Sequence, residues 1–514
     1  MKKKIVAVID FGSQYTQLIA RRIREQNVYS EIFPNTISAS ELKNMDVPAV
    51  IFSGGPSSVY EKEAPQVDNA ILDLNIPVLG ICYGLHLMIS DAGGQVIHKG
   101  HGEYGFAKIH PEISSPLFDN LSQESQVWMS HGDEIENLGD GFNVIARSSN
   151  NIIAAIQHHN RPLYGVQFHP EVIHTVEGNT ILSNFLFKIS NCSADWTAEN
   201  FISEAVSAIQ EKVGEDGKVI TGLSGGVDSS VVGTLLHKAI GDRSRCVFID
   251  HGLLRKEEGK QVMGSLQDGL GLNICKYNDS AAFLSALEGI TDPEDKRKII
   301  GGQFIRSFEH AAGEHEDAKF LAQGTLYPDV IESGGSALGP AVTIKSHHNV
   351  GGLPEDMDFQ LIEPIRDLFK DEVRSVGREL GLPAFVLERH PFPGPGLAVR
   401  ILGEITSDRL RILKEADHIF IDILQKTGEY NKIWQAFAVL IPIKTVGVMG
   451  DARTYESLIA LRAVTSQDGM TADWYNFPHE ILSQCSTEII NKVKGVNRVV
   501  YDITSKPPGT IEWE

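Results

Sequence analysis

Cysteine, basic charge and a long amino-terminal apolar run are what this 514-residue chain has little of, and each shortage closes off a class of protein. Its five cysteines, at 82, 192, 246, 275 and 485, are odd in number, scattered and never arranged as Cys-x-x-Cys. Neither a disulfide framework nor a structural zinc site is therefore expected, and a reducing, cytoplasmic setting fits. Lysine and arginine total 46 against 67 acidic residues, a formal net charge of −21. Such a balance does not suit a general binder of nucleic acid or of anionic membranes, which needs a basic face to neutralise phosphates. Anionic substrates must instead be met by local loops and helix dipoles. The apolar run Ile5–Ile9 behind Met1-Lys-Lys-Lys is cut at once by Asp10 and Gly12. It is too short for a signal core or a membrane span and reads as a first strand. The chain is expected to be globular and modular, with length for about three or four domains.

In the middle of the chain, Ser224-Gly225-Gly226-Val227-Asp228-Ser229-Ser230 follows an apolar run, Lys218–Leu223, and precedes a helix-like run, Val231–Ala239. Strand, glycine loop and helix in that order make a phosphate cradle: paired glycines let backbone N–H groups approach an anion, and the helix N-terminus adds positive dipole. The G-x-x-x-x-G-K-[ST] spacing and its lysine are missing, so a γ-phosphate clamp is not implied. The segment resembles the pyrophosphate loop of the ATP pyrophosphatases, which activate an oxygen by adenylation and release pyrophosphate.

The first third alternates short apolar runs (Ile5–Ile9, Ala49–Phe52, Val78–Ile81) with amphipathic stretches such as Tyr15–Gln26 and Val67–Leu74. Buried parallel strands with helices on both faces produce that pattern, so the fold class here is α/β. After the third run, Cys82 sits at a strand-to-helix turn with Gly80 two residues before and Gly84 two after. Small neighbours relieve the strain of a nucleophile elbow and the helix N-terminus favours a thiolate, which makes Cys82 the candidate nucleophile. Tyr164-Gly-Val-Gln-Phe-His169-Pro-Glu171 is a strand ending in His-x-Glu, able to supply a general base and the carboxylate that sets its tautomer.

Cys82, His169 and Glu171 in this order resemble the class I glutamine amidotransferases, and nearly all of 1–190 reads that way. The resemblance implies an oxyanion hole from the N–H groups of Gly55, in Ser53-Gly54-Gly55-Pro56, and Tyr83. It also implies a glutamine-binding segment at Ser130-His131-Gly132-Asp133. One residue departs from the pattern: the family usually carries Gln four residues after the nucleophile, and here that position is His86. One helical turn along from Cys82, His86 either reaches toward the pocket or packs in the core.

Beyond the central loop, Cys246–Asp250 is a strand with an acid at its carboxyl end, the edge where open α/β sheets bind ligands, so Asp250 is a candidate for adenosine or metal contact. No fixed metal cage can be read, but magnesium bound mainly by ATP oxygens needs only one or two carboxylates. Ile344–Pro354 is polar and glycine-hinged, a composition suited to a lid that carries Lys345 to the ATP and excludes water. The proline-rich His390–Ala398 marks a boundary near 389, and the polar stretch 191–197 another near 195. The chain closes on Thr504-Ser-Lys506-Pro-Pro-Gly-Thr510-Ile-Glu512-Trp-Glu514, a rigid turn expected to be held by a ligand or partner.

The lid, the proline segment and this tail resemble the glutamine-hydrolysing GMP synthetase family across essentially the whole chain. The resemblance implies an amidotransferase domain at 1–195, an ATP pyrophosphatase domain at 196–389 and a smaller α+β domain at 390–514 that forms a homodimer. It implies glutamine, XMP and ATP as substrates with Mg²⁺, and XMP contacts at Arg255, Gln435, Lys506 and Glu512. The residues alone leave the acceptor open. Asparagine-forming and NAD-forming synthetases use the same loop, and a nucleotide-binding regulator with an inert glutaminase half is a third reading.

Overall fold

The computed structural model describes residues 4–112, 114–315, 317–332, 359–449, 451–466 and 471–514. The chain divides into two compact units, one built on Met1–Phe201 and the other on Ile202–Asp329 together with the described residues from 359 onward.

The first unit is one nine-stranded sheet in the order β2-β1-β3-β4-β9-β8-β7-β5-β6. Its parallel half comprises β1 (Val6–Asp10), β2 (Ser30–Pro34), β3 (Val50–Phe52), β4 (Val78–Ile81) and β9 (Leu163–Val166). Of these, β1, β3 and β4 are the apolar runs Ile5–Ile9, Ala49–Phe52 and Val78–Ile81 of the sequence, and β3, β4 and β9 are buried at every position, as strands covered on both faces must be. The other half, β5 (Gln95–Pro111), β6 (Ser125–Asn137), β7 (Phe142–Ser148) and β8 (Ile153–His158), is antiparallel. Strand β6 alternates buried and exposed residues over most of its length, the signature of a sheet packed on one face only. The amphipathic reading of Tyr15–Gln26 corresponds to the helix Thr16–Arg24. That of Val67–Leu74 does not become an α-helix: only a single 3₁₀ turn, Asn69–Ile71, forms, capped by the Asp68 side chain and lying between Pro65 and Pro77.

The second unit takes in most of the helix Ala198–Val213 and a five-stranded, wholly parallel sheet. Its order is β12 (Ile274–Asn278), β11 (Ser244–Asp250), β10 (Val219–Gly222), β13 (Phe320–Ala322), β14 (Gln360–Ile362). The carboxy-terminal part carries the long antiparallel pair β15 (Gln435–Met449) and β16 (Ala452–Thr465), extended by β17 (Asp473–Trp474) and by β18 (Val496–Tyr501), which runs parallel to β16. Helices Ser407–Lys426 and His479–Lys492 bury their apolar faces against this sheet. A single core cluster runs from Ile220 and Val247 of the parallel sheet to Leu410, Ile459 and Ile489 of the carboxy-terminal part, so the two sheets pack as one unit. No helix among the described residues is long and apolar enough to cross a membrane.

Candidate active sites

In the first unit the cysteine elbow forms where β4 meets the helix Tyr83–Asp91. Cys82 is its cap residue and takes φ 51° and ψ −103°, a left-handed conformation that a side chain adopts only under constraint. Both flanking glycines are required by space. A Cβ on Gly80 would stand 2.7 Å from the Gly84 carbonyl carbon, and one on Gly84 would stand 2.5 Å from Phe52 Cβ. The helix thus starts hard against β3, and the cysteine is pushed out at its end.

His169 lies beyond the end of β9, with its N–H donating to the Trp128 carbonyl (3.0 Å) and its carbonyl accepting from Thr175 Oγ1 (2.6 Å). Its Nδ1 donates to Glu171 Oε1 at 2.7 Å, and both side chains are buried. Burial acts to keep the ring neutral. The Glu171 charge and hydrogen bond, together with the hydrogen bond and charge of Cys82, outweigh it and raise the imidazole to about 10. The Ser53–Gly55 strap borders the same space, since a Cβ on Gly54 would meet His169 Cε1 at 3.3 Å and one on Gly55 would meet Tyr83 Cγ at 3.2 Å. Among the described residues the main-chain N–H groups of Gly55 and Tyr83 make no hydrogen bond within the protein. Cys82 Sγ lies 3.9 Å from the Ser130 carbonyl oxygen, which brings the start of Ser130–Asp133 alongside it. Asp133 in turn accepts from Ser58 Oγ (2.5 Å) and Tyr60 OH (3.0 Å).

His86 packs in the interior, 3% exposed, with burial driving its imidazole down to about 4. Its Nε2 is 2.7 Å from Gln167 Oε1, and Gln167 Nε2 is 3.7 Å from Cys82 Sγ. Sequence reasoning did not pick out Gln167, whose only signal is its place two residues before His169.

In the second unit the loop after β10 turns at Gly225, φ 73°, where a Cβ would also strike Val262 Cγ2 at 2.8 Å. The helix Val227–Ile240 follows with Gly226 as its cap. The serines shape the loop from within: Ser224 Oγ and Ser229 Oγ are 3.0 Å apart, and Ser230 Oγ donates to the Gly226 carbonyl at 2.7 Å. Two cations unforeseen in the sequence reach this loop. Lys370 donates to both Asp228 carboxylate oxygens at 2.6 Å, and Arg389 donates to the Gly225 carbonyl at 2.9 Å while pairing with Glu258. Asp250 ends β11, the strand beside β10, and there accepts from the Gly252 N–H (3.2 Å) and pairs with Lys276 (3.4 Å). Among the described residues no group of three or more His, Cys, Asp or Glu side chains is placed to hold a metal. Lys345 and the rest of 344–354 lie outside the described residues.

Three of the residues expected at a nucleotide acceptor meet near Phe392. Arg255 pairs with Asp417 (3.3 Å), donates to the Ala436 carbonyl (3.1 Å) and stands 5.4 Å from the Phe392 ring centre. Gln435 Nε2 donates to the Pro391 carbonyl (3.1 Å) and to Glu512 Oε1 (2.7 Å). Glu512 is also clasped bidentately by the fully buried Arg400, at 3.0 and 2.8 Å. Lys506 is held through its main chain, its N–H donating to the Ala472 carbonyl at 2.7 Å. The tail, expected to be held by a ligand or partner, is held by the chain itself: the buried Lys296 pairs with Glu514, and Trp513 Nε1 donates to Asp502 Oδ2 at 3.0 Å.

Residues 7–189 match the family described as Glutamine amidotransferase class-I, residues 199–298 the family described as NAD synthase, and residues 422–513 the family described as GMP synthase C terminal domain. Fold, sites and matches together define a class: a glutamine amidotransferase joined in one chain to an ATP-using synthetase. Within it the chain is 54% identical to the GMP synthase [glutamine-hydrolyzing] of Maridesulfovibrio salexigens over 511 residues, 99% of either chain. It is 56% identical to that of Carboxydothermus hydrogenoformans over 514 residues, 100% of either chain. The chain belongs to the glutamine-hydrolysing GMP synthase family.

Proposed function

We propose that this chain makes GMP from XMP, with glutamine supplying the nitrogen and ATP the activation. The observation that carries the reading is likeness to curated GMP synthases along the entire chain, both catalytic halves included. In the first half Cys82 attacks the glutamine carboxamide, His169 moves the protons, Glu171 holds the imidazolium, and the Gly55 and Tyr83 N–H groups receive the oxyanion. The buried 2.7 Å His169–Glu171 contact and the strained Cys82 backbone support these roles. Ammonia is the product passed on.

In the second half the Ser224–Ser230 loop cradles the pyrophosphate of ATP while the XMP oxygen attacks the α-phosphorus. Ammonia then displaces AMP. Magnesium bound with ATP would supply charge neutralisation on the phosphates, and Asp250, at the carboxyl edge of the parallel sheet, would contact it or the adenosine. Lys370 adds the cation that the loop lacks in sequence. Arg255, Gln435, Lys506 and Glu512 hold XMP, and Lys345 belongs to the lid that reaches the ATP. The three-domain division at about 195 and 389 goes with this assignment, as does a cytoplasmic setting. A homodimer through the carboxy-terminal sheet is supported by the apolar side chains that β15, β16 and β18 leave exposed: Ile443, Val446, Val448, Tyr455 and Val500.

The test is product analysis. XMP, glutamine and MgATP should give GMP, AMP, pyrophosphate and glutamate in equal amounts, and no amidated product should form from aspartate or from the deamido precursor of NAD. Amination of either of those in place of XMP would overturn the reading.

A further inference from the structure

His86 is where this chain departs from the amidotransferase pattern, and its side chain ends on a residue that touches the nucleophile. Gln167 is fully buried between the two: its Oε1 faces His86 Nε2 at 2.7 Å and its Nε2 faces Cys82 Sγ at 3.7 Å. A carboxamide has one accepting and one donating end, so the first contact decides the second. If Nε2 of His86 carries the proton, Gln167 Oε1 must accept from it, and only N–H bonds are left to offer the sulfur. If Nε2 were bare, the amide would turn over and set a carbonyl oxygen against the thiolate, which is repulsive. The backbone leaves little room for other arrangements. Gln167 N–H donates to the Ala154 carbonyl at 2.9 Å, and Cys82 N–H donates to the Val166 carbonyl at 2.8 Å, locking strand exit and elbow side by side.

We propose that Gln167 is a catalytic residue of the glutaminase site, donating an amide N–H to the Cys82 thiolate, and that His86, as its Nε2–H tautomer, is the positioning residue that orients this amide. The proposal rests on the reading of Cys82 as nucleophile. It explains how a histidine can stand where glutamine is usual. An imidazole Nε2–H offers Gln167 Oε1 the donor that a glutamine amide N–H can also supply. Burial keeps the His86 ring neutral, with the nearby His131 opposing a charge and the Gln167 bond and Asp133 favouring it. A neutral ring adds no repulsion to a protonated His169. The other ionisable groups that bear on the cluster are Glu171 beside His169, and His131 and Asp133 on β6. The N–H···S bond acts whenever the sulfur is anionic: before it attacks the carboxamide carbon, and again when water cleaves the thioester and the C–S bond breaks.

The experiment uses the full chain with Gln167→Met, His86→Leu, His86→Gln and Cys82→Ala. The thiolate is titrated by iodoacetamide alkylation of Cys82 across pH, quantified on the Cys82 peptide by mass spectrometry. Glutaminase kcat and KM are measured beside it, and ammonia-driven synthesis serves as the folding control. In Gln167→Met and His86→Leu the alkylation midpoint should move to higher pH and glutaminase kcat/KM at neutral pH should fall roughly ten- to hundredfold, the worth of a hydrogen bond to a charged group. His86→Gln, which keeps an N–H donor toward Gln167, should restore most of the loss. An unmoved midpoint in Gln167→Met overturns the proposal. A shift in Gln167→Met without one in His86→Leu overturns the part given to His86. Should His86→Leu not fold, Gln167→Met and His86→Gln still decide, because a His86→Gln midpoint as high as that of Gln167→Met removes the orienting role. Glutaminase activity surviving in Cys82→Ala would instead defeat the nucleophile reading itself.

Discussion

Replacing Glu171 with Gln strikes the proposed glutaminase site at a buried contact. His169 Nδ1 donates to Glu171 Oε1 over 2.7 Å, with side-chain exposures of 5% and 0%. Burial by itself would drive the imidazole toward its neutral form, and the Glu171 charge is the largest of the effects that reverse this and raise it to about 10. A hydrogen bond to a charged partner contributes about 1.5–3 kcal/mol. With a tenfold rate change for every ~1.4 kcal/mol, the isosteric Glu171→Gln should lower glutaminase kcat/KM roughly ten- to hundredfold. The pH profile is more telling. In the native chain the imidazolium persists to about pH 10, whereas in the variant the Glu171 charge no longer opposes burial and the alkaline limb should move toward neutrality. Stability follows the same linkage. A folded-state value above the ordinary 6.5 contributes stability that is complete below pH 6.5 and is lost as pH rises through about 10. The difference in Tm between native chain and variant should therefore be widest at or below pH 6.5 and shrink toward pH 10. Glutamate release with XMP and MgATP present is the assay, with ammonia-driven GMP formation as the control. Full kcat/KM with an unmoved alkaline limb would refute the assignment of Glu171 as the orienting carboxylate.

Cys82→Ala should abolish glutamine-driven synthesis and spare synthesis from added ammonia, read as GMP formed from either nitrogen source; loss of both would make Cys82 structural. Asp228→Ala, which also releases Lys370, should stop pyrophosphate release whichever nitrogen source is used, and a fall in glutaminase activity alone would show the loop to be assigned to the wrong reaction. Truncation before Lys506 removes Glu512 and the anchor of Glu514 on Lys296, so calorimetry should show XMP binding sharply weakened while glutamine hydrolysis stays measurable. Unchanged XMP affinity would take the tail out of the substrate site. Val448→Glu, at a position 72% exposed on β15, should break the proposed dimer into monomers in analytical ultracentrifugation, and an unaffected dimer would place the interface elsewhere.

Much of both sites could be read from spacing, because the chemistry sits where chain geometry is local. The small residues around Cys82 are dictated by contacts within one strand-to-helix turn and the strand beside it, and such demands leave a short pattern in sequence. His169 and Glu171 are two residues apart, and the Ser224–Ser230 loop is closed by its own hydroxyls. The antiparallel half of the first sheet was less legible, since it begins in β5, whose run Gln95–Pro111 is broken by glycines and polar residues rather than marked by an apolar core. The helix expected at Val67–Leu74 was a misreading of periodicity over a span too short, and too closely bounded by proline, to nucleate more than a turn.

By itself, the sequence determined the apolar runs of the parallel strands, the elbow, the His-x-Glu exit and the glycine loop, because each depends on steric and dipolar rules acting over a few residues. Tertiary structure alone decided which distant groups complete them. Lys370 meets Asp228 across 142 residues, Gln167 meets His86 across 81, and Arg400 clasps Glu512 across 112. It also decided that His86 points into the core as a neutral ring and that Glu512 is already paired with Arg400. Such pairings are set by which surfaces are buried together when the sheets pack, and burial is also what keeps His86 neutral; neither is written in the residues next to them.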